Sequence, residues 1–216
     1  MRGAVDYSLY LVTDRGLARG RPIEHVVSAA VEGGVSVVQI REKECGAAEF
    51  LALACRLRAS LEGAGVPLVV NDRVDVALAC GAAGVHVGQE DLPCEVVRRL
   101  VGDSMLLGVS VATAGQAAAA ERAGADYVSV SPIFLTPTKP DACNAVGLEG
   151  LSEIRSAVRL PVVAIGGINA ANAPEVMRAG ADGVCVVSAI MAAPDPRRAA
   201  AELRSAVGTV GRRPRL

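Results

Sequence analysis

The chain has 216 residues, enough for one large hydrophobic core and few for two domains. Lysine and arginine (22) nearly balance aspartate and glutamate (23), so the formal net charge is −1 and no chain-wide field attracts nucleic acid or an anionic membrane. Hydrophobic residues make up 51 % but aromatic residues only 2 %, a composition typical of α/β proteins whose parallel strands are buried on both faces.

The amino-terminal region lacks the pattern of a signal peptide, because Asp6 interrupts it before an apolar core can form. No apolar run approaches the about 18 residues of a membrane span, so we expect a cytoplasmic protein. Six cysteines are scattered without a Cys-x-x-Cys pair, which favours reduced thiols over disulfides or a zinc site. The short basic tail at about 211–216 is expected to be a solvated end.

A recurring phrase, in which a glycine ends a helix just before a strand, divides the chain at even intervals. It occurs at residues 32–35, 80–85, 123–128 and 179–184. Another short apolar run lies between each pair, so about 25 residues form one βα unit and roughly eight units fill the chain. The predicted strands are 9–12, 35–40, 68–70, 84–87, 106–109, 127–130, 162–165 and 184–187.

Helices are predicted between these strands, as at residues 46–64, where apolar residues recur at intervals of three and four. Even βα units without sequence left over for a second domain predict a single (β/α)8 TIM barrel over residues 1–216. The alternative fold is a doubly wound parallel sheet. In a barrel, the residues that follow each strand meet at one rim, where the active site lies.

The second strand runs into Gln39, Arg41 and Lys43, which alternation places on one side. One amide and two cations in one place suit a diphosphate. The alternative is a charged loop in which Arg41 and Lys43 pair with Glu42 and Glu44.

The third and fourth strands lead into Asn71-Asp72 and into Asp91. Carboxylates at the ends of adjacent strands can share one hard cation, and Mg²⁺ with a diphosphate fits. Each aspartate alone could instead cap a helix, and Ser110 at the end of the fifth strand could do the same.

The sixth strand opens a loop at residues 131–142 that is too long for an ordinary βα turn, and its Thr136, Thr138 and Lys139 could clasp phosphate oxygens. The seventh strand ends in Gly166-Gly167 and the eighth in Val187-Ser188, where many barrels bind a phosphomonoester. Two anion sites on one rim imply two small phosphorylated substrates. His25 and His86 are interpreted as structural.

Five segments resemble the thiamine phosphate synthase family in order and spacing, and the similarity covers nearly the whole chain. They are VQIREK at 38–43, VND at 70–72, GVHVGQEDL at 84–92, PIFLTPTK at 132–139 and AIGGI at 164–168. The resemblance implies a transferase that joins hydroxymethylpyrimidine diphosphate to thiazole phosphate, or its carboxylated form, giving thiamine phosphate and diphosphate by Mg²⁺-assisted dissociative substitution.

The resemblance also assigns roles to individual residues. It implies that the pyrimidine diphosphate is held by Gln39, Arg41, Lys43, Asn71, Ser110 and Lys139, of which Arg41 and Lys139 are catalytic. It implies that Mg²⁺ is bound by Asp72 and Asp91. It implies that the thiazole phosphate is held by Thr136, Thr138, Gly167, Val187 and Ser188.

Three other functions stay open from the residues alone. A related thiazole tautomerase would have no reason to keep a diphosphate and metal set. A sugar-phosphate isomerase or epimerase would need a strand-end base, for which Asp72 or Asp91 could serve. A non-enzymatic phosphate-binding barrel would bind without turnover. The sequence is compatible with a homo-oligomer.

Overall fold

Eight parallel strands form a closed barrel in chain order. The computed structural model describes residues 5–135 and 145–209. Leu9 lies opposite Val184 where the first and last strands pair, so the ring closes and the doubly wound alternative, which needs two open edges, is wrong. The strands are β1 (Leu9–Val12), β2 (Val37–Ile40), β3 (Leu68–Asn71), β4 (Gly84–Val87), β5 (Leu106–Val111), β6 (Tyr127–Val130), β7 (Val162–Ile165) and β8 (Gly183–Val186).

Helices surround the barrel, and the predicted alternation of strand and helix is confirmed. In the described part of the chain the helices are α1 (Ile23–Glu32), α2 (Ala47–Glu62), α3 (Val74–Cys80), α4 (Cys94–Val101), α5 (Ala114–Arg122), α6 (Gly147–Ala157), α7 (Ala173–Arg178), α8 (Ser188–Met191) and α9 (Pro196–Gly208). Among the described helices, none combines the length and the apolar character that a membrane crossing requires.

Alternation along each strand separates two hydrophobic cores. Leu9 and Leu11 of β1 belong to the large core between the barrel and its helices. Tyr10 and Val12 of the same strand belong to a smaller core inside the barrel, together with Tyr127. Because both faces of each strand are covered, the strands read as nearly continuous apolar runs, as the composition predicts.

The last two copies of the recurring phrase, before β6 and β8, combine the end of a helix with an ion pair. In these two copies the aspartate accepts from an arginine: Asp126 from Arg98 of α4, and Asp182 from Arg155 of α6. Arg98 Nη2 lies 2.6 Å from Asp126 Oδ2, and Arg155 Nη1 lies 3.0 Å from Asp182 Oδ2. Both arginines also donate to main-chain carbonyls nearby, so these partly buried pairs tie helices to the amino ends of β6 and β8.

Candidate active site

A cavity of about 820 Å³ lies at the carboxyl ends of the strands. A second depression, of about 750 Å³, lies at the opposite end, and its one carboxylate, Asp6, already accepts from Ser8 and Arg204. The rim cavity is polar and charged. It collects ten of the residues predicted from the sequence: Gln39, Arg41, Lys43, Asn71, Asp72, Asp91, Ser110, Gly167, Val187 and Ser188. Thr136, Thr138 and Lys139 lie outside the described residues.

The loops after β1 and β2 hold Arg41 at the edge of the cavity. Its backbone N–H donates to Thr13 Oγ1 at 3.1 Å, and its guanidinium lies 3.6 Å from the carboxylate of Asp14. Glu42 turns away instead and accepts from Arg15 Nε at 2.8 Å, with only 3 % of its side chain exposed. The alternative in which Glu42 neutralises Arg41 is therefore wrong, and Arg41 keeps its guanidinium at the cavity.

Two turns bring the aspartates to the same place. Asp72 has φ of +61°, and its N–H donates to His86 O on the neighbouring strand at 2.8 Å. Left-handed backbone is uncommon for a residue other than glycine, and it clusters at functional sites. Asp91 Oδ2 accepts from the N–H of Gly88 at 2.7 Å. Neither aspartate caps a helix, because α3 and α4 begin after Arg73 and Pro93 without a side-chain cap, so that alternative is wrong.

The two carboxyl groups interact directly. Burial, followed by a hydrogen bond and charge repulsion from Asp91, raises the pKa of Asp72 to about 6, against the opposing attraction of Lys43 and Arg41. Two carboxylates in contact suit a divalent cation, since it neutralises both and accepts oxygen ligands. In residues 5–135 and 145–209 no cluster of three or more acidic, histidine or cysteine side chains is placed to hold a metal ion. Further ligands would therefore come from substrate oxygens and water, as is usual for Mg²⁺.

Below the cavity, a chain of hydrogen bonds crosses the interior of the barrel. Gln39 Nε2 donates to Tyr10 Oη at 2.8 Å, and Tyr10 Oη lies 2.9 Å from Tyr127 Oη. His86 Nδ1 lies 3.1 Å from Tyr127 Oη, and His86 Nε2 lies 2.9 Å from Ser110 Oγ. Burial raises the pKa of each tyrosine well above its ordinary value, so both hydroxyls stay protonated. Both ends of the chain belong to the predicted site.

The segments after β7 and β8 close the other side of the cavity. Gly166 and Gly167 have φ of +111° and +65°, and an added Cβ at either would press on the loop after β6. Asn172 Nδ2 donates to Gly167 O at 2.9 Å and fixes this turn. Val187 follows the last residue of β8, and Ser188 begins the four-residue helix α8. The first amides of a helix have no intrahelical acceptor, which leaves them available to an anion.

The structure also adds residues that the sequence interpretation left out. Tyr10 and His86 both line the cavity. His86 was interpreted as structural because it lies within a strand, but alternation along β4 turns it inward beside Ser110. Ser110 itself lies inside β5, and the alternative in which it caps a helix is wrong, since Thr113 caps α5 by accepting from Gln116 N at 3.2 Å. Alternate residues of β4 and β5 point into the barrel, and this alternation is the sequence signal that could have identified His86 and Ser110 as neighbours.

Known proteins resemble this chain along almost its whole length. The family model described as thiamine monophosphate synthase matches residues 9–190. The thiamine-phosphate synthase of Chloroflexus aurantiacus is 56 % identical over 203 residues, which cover 94 % of each chain. The thiamine-phosphate synthase of a Roseiflexus species is 53 % identical over 201 residues, which cover 93 % of this chain and 85 % of the Roseiflexus protein. A solved thiamine phosphate pyrophosphorylase from Pyrococcus furiosus superposes with a TM-score of 0.88 at 42 % identity, covering 94 % of this chain and 96 % of the other.

Proposed function

The chain belongs to the thiamine monophosphate synthase family and is a transferase, and from that premise we propose its substrates, its metal and its residue roles. The substrates are hydroxymethylpyrimidine diphosphate and thiazole phosphate or its carboxylated form. The products are thiamine phosphate and diphosphate, with carbon dioxide as a third product when the thiazole is carboxylated. The observation that carries this proposal is the rim cavity, whose lining combines basic and acidic residues that follow β2, β3 and β4 with residues that follow β7 and β8, among them Gly167 and Ser188. Two phosphorylated ligands could bind there side by side, each with its phosphate group on a different side of the cavity.

The first step breaks the bond between the pyrimidine methylene and the diphosphate. Arg41 and Lys43 lie on the cavity wall and would bind the diphosphate, stabilising the negative charge that grows as it leaves. Asp72 and Asp91 would hold Mg²⁺, which supplies further positive charge to the diphosphate when bound. Lys139, outside the described residues, is proposed to act with Arg41.

The pyrimidine needs positioning more than it needs a base. Its amino group donates electrons into the ring, so positive charge on the methylene is stabilised by the substrate itself. Gln39, Asn71 and Ser110 line the wall beside the cations and would orient the ring. No strong base is then required, which agrees with a site whose described imidazole, His86, is already hydrogen-bonded at both ring nitrogens.

The second step forms the new carbon–nitrogen bond. The thiazole nitrogen attacks the methylene and takes the place of the departed diphosphate, so no external oxidant or reductant is needed. Gly167, Val187 and Ser188 would hold the thiazole phosphate with main-chain amides and a hydroxyl. Thr136 and Thr138, outside the described residues, are proposed to complete that site. The reaction thus depends on bringing two bound substrates into contact.

Incubation of the purified protein with both substrates, with Mg²⁺ or with a chelator, tests the proposal by chromatographic detection of thiamine phosphate. We expect product that depends on the metal. Arg41→Ala should lower kcat by roughly 10²–10³-fold, since it removes a donor to the developing charge. Arg56→Ala is the matched control, because Arg56 lies on α2 with 60 % of its side chain exposed and pairs with Glu24 far from the cavity.

Other outcomes would redirect the assignment. Isomerisation of thiazole phosphate without consumption of the pyrimidine diphosphate would indicate the tautomerase alternative. Interconversion of sugar phosphates that is lost in Asp72→Asn would indicate an isomerase that uses this carboxylate as its base. Tight binding of phosphorylated ligands without turnover would indicate a binding protein.

A further inference from the structure

The hydrogen-bond chain through the barrel interior depends on a gap in the wall at Gly108. In the strand register, Gly108 of β5 lies opposite His86 of β4 and Tyr127 of β6. A Cβ built at Gly108 would lie within 2.5 Å of both the Tyr127 hydroxyl and the His86 ring. Any larger residue would therefore separate these two side chains, so the glycine is what lets them meet across the intervening strand.

The partners of the two tyrosine hydroxyls fix which group donates at each step. A neutral tyrosine hydroxyl has one proton to donate and can also accept. The Tyr10 hydroxyl accepts from Gln39 Nε2, and among the described residues its other partner is Tyr127, so its proton goes to Tyr127. Tyr127 then has its own proton for His86 Nδ1. A neutral imidazole that accepts at Nδ1 carries its proton on Nε2.

The order of donors reaches the cavity at both ends. In this order the proton on His86 Nε2 is donated to Ser110 Oγ, 2.9 Å away, which leaves the serine its own proton. Within the described residues Ser110 Oγ has no second protein partner, and the residue lines the cavity. At the other end of the hydrogen-bond chain, Gln39 Nε2 donates to Tyr10, so Gln39 Oε1 is left as an acceptor. Reversal of the Gln39 amide would reverse every donor in the chain.

We infer that Tyr127 and His86 are positioning residues, which hold the Ser110 hydroxyl as a donor and the Gln39 side chain as an acceptor toward the bound substrate. The ligand that this arrangement recognises offers an acceptor near Ser110 and a donor near Gln39. An amino-substituted nitrogen heterocycle joined to a phosphorylated group offers both an acceptor and a donor. This choice of ligand rests on the proposed function. Neither positioning residue needs to change its protonation during the reaction.

Nitrogen-15 NMR of histidine-labelled protein without substrate tests the donor order. The chain has two histidines, His25 and His86, so the spectrum is simple to assign with a His25→Gln variant. In mildly alkaline buffer, where an ordinary imidazole is neutral, we expect His86 to carry its proton on Nε2 with Nδ1 accepting a hydrogen bond. A proton on Nδ1 would overturn the proposal, because it requires the reversed order.

Two tyrosine variants locate the source of that order. Tyr127→Phe should shift the Nδ1 resonance toward that of an imidazole nitrogen without a donor. Tyr7→Phe is the matched control, because the Tyr7 ring packs against Tyr127 with centroids 4.9 Å apart, while the donor order inferred above runs through Tyr10 and Tyr127. An unchanged Nδ1 resonance in Tyr127→Phe, or an equal shift in Tyr7→Phe, would refute the assignment.

Kinetics of His86 variants separate positioning from packing. His86→Gln keeps an amide that can donate to Ser110, whereas His86→Met fills the space with an apolar side chain. We expect His86→Met to lose roughly five- to tenfold more kcat/KM than His86→Gln, the effect of about one hydrogen bond. Activity in His86→Met that equals or exceeds that of His86→Gln would show that the residue only packs. If the wild-type protein formed no thiamine phosphate, the proposed function would fail while the NMR result still decided the donor order.

Discussion

Replacing Asp72 by asparagine should stabilise the metal-free protein at neutral pH. Burial and the neighbouring Asp91 raise the pKa of Asp72 from 3.8 to about 6. The folded state therefore binds this proton more tightly than the unfolded chain, and stability falls as the pH rises through that window. Asparagine keeps the shape, tolerates the φ of +61° and carries no charge. The variant removes the cost of ionising a carboxyl group beside another one.

The magnitude follows from the pKa shift. Raising the pKa of Asp72 from 3.8 to about 6 corresponds to at most about 3 kcal/mol. Asp72 is only partly buried, and solvent screening reduces the gain to about 1–2 kcal/mol. For a domain of this size, that gain raises Tm by roughly 2–8 °C. The gain should shrink to about a third at about pH 4.5, because the folded wild-type protein already carries the proton there, whereas the unfolded chain, with a pKa of 3.8, is mostly ionised.

Thermal unfolding with a chelator at about pH 4.5 and about pH 8 measures the difference. Asp75→Asn is the control, because Arg73 holds the pKa of Asp75 below its usual value and no gain is expected there. Added Mg²⁺ should then stabilise the wild-type protein more than Asp72→Asn. No gain at the higher pH, or the same gain at both pH values, would refute the electrostatic reasoning about the two aspartates.

Two further substitutions test packing near and far from the cavity, each by urea unfolding. Gly65 and Gly167 both have φ of +65°, but an added Cβ meets nothing within 4 Å at the first and an atom at 2.8 Å at the second. Alanine should cost about 1–2 kcal/mol at Gly65 and a further 1–3 kcal/mol at Gly167; equal costs would contradict the contact. Arg98→Ala should cost about 2–4 kcal/mol, because it removes the partly buried charge that faces Asp126 and the donors to the Gly124 and Met105 carbonyls. Arg58→Ala, at an exposed pair, should cost less than about 0.5 kcal/mol.

The barrel could be predicted because its signals are local. Hydrophobic runs and helix-ending glycines depend on neighbours in sequence, and the predicted bounds of β1, β4, β6 and β7 agree with the structure. The prediction started β2 at residue 35, but Ser36 Oγ both accepts from and donates to the main chain of Leu9, so regular pairing begins at Val37. Val187 was placed in β8, yet its ψ of −82° takes the chain out of the strand.

The site could be predicted only where strand ends alone determine position. Arg41 and Asp72 follow strands directly, so the rim of a barrel brings them together regardless of the details of packing. The hydrogen bond between Ser110 and His86 could not be predicted, because it joins side chains on two different strands. Gly108 gives no sign of its role in the sequence, since a glycine in a strand is ordinarily a weak point. Cross-strand partners become visible only when the register is known.

Aspartates at the two ends of the barrel have opposite surroundings: those at the amino ends pair with arginines, whereas those at the carboxyl ends contact each other. The first arrangement stabilises the fold, and the second favours binding of a ligand. At the amino ends of the strands, Asp126 and Asp182 each meet an arginine at 2.6–3.0 Å, so their charges stabilise the fold without a ligand. At the carboxyl ends, Asp72 meets Asp91, and burial together with that contact raises the pKa of Asp72. Folding alone gains nothing from two facing carboxylates. A bound cation would convert the repulsion into shared coordination, so stability at this rim should depend on the ligand, whereas stability at the other end should not.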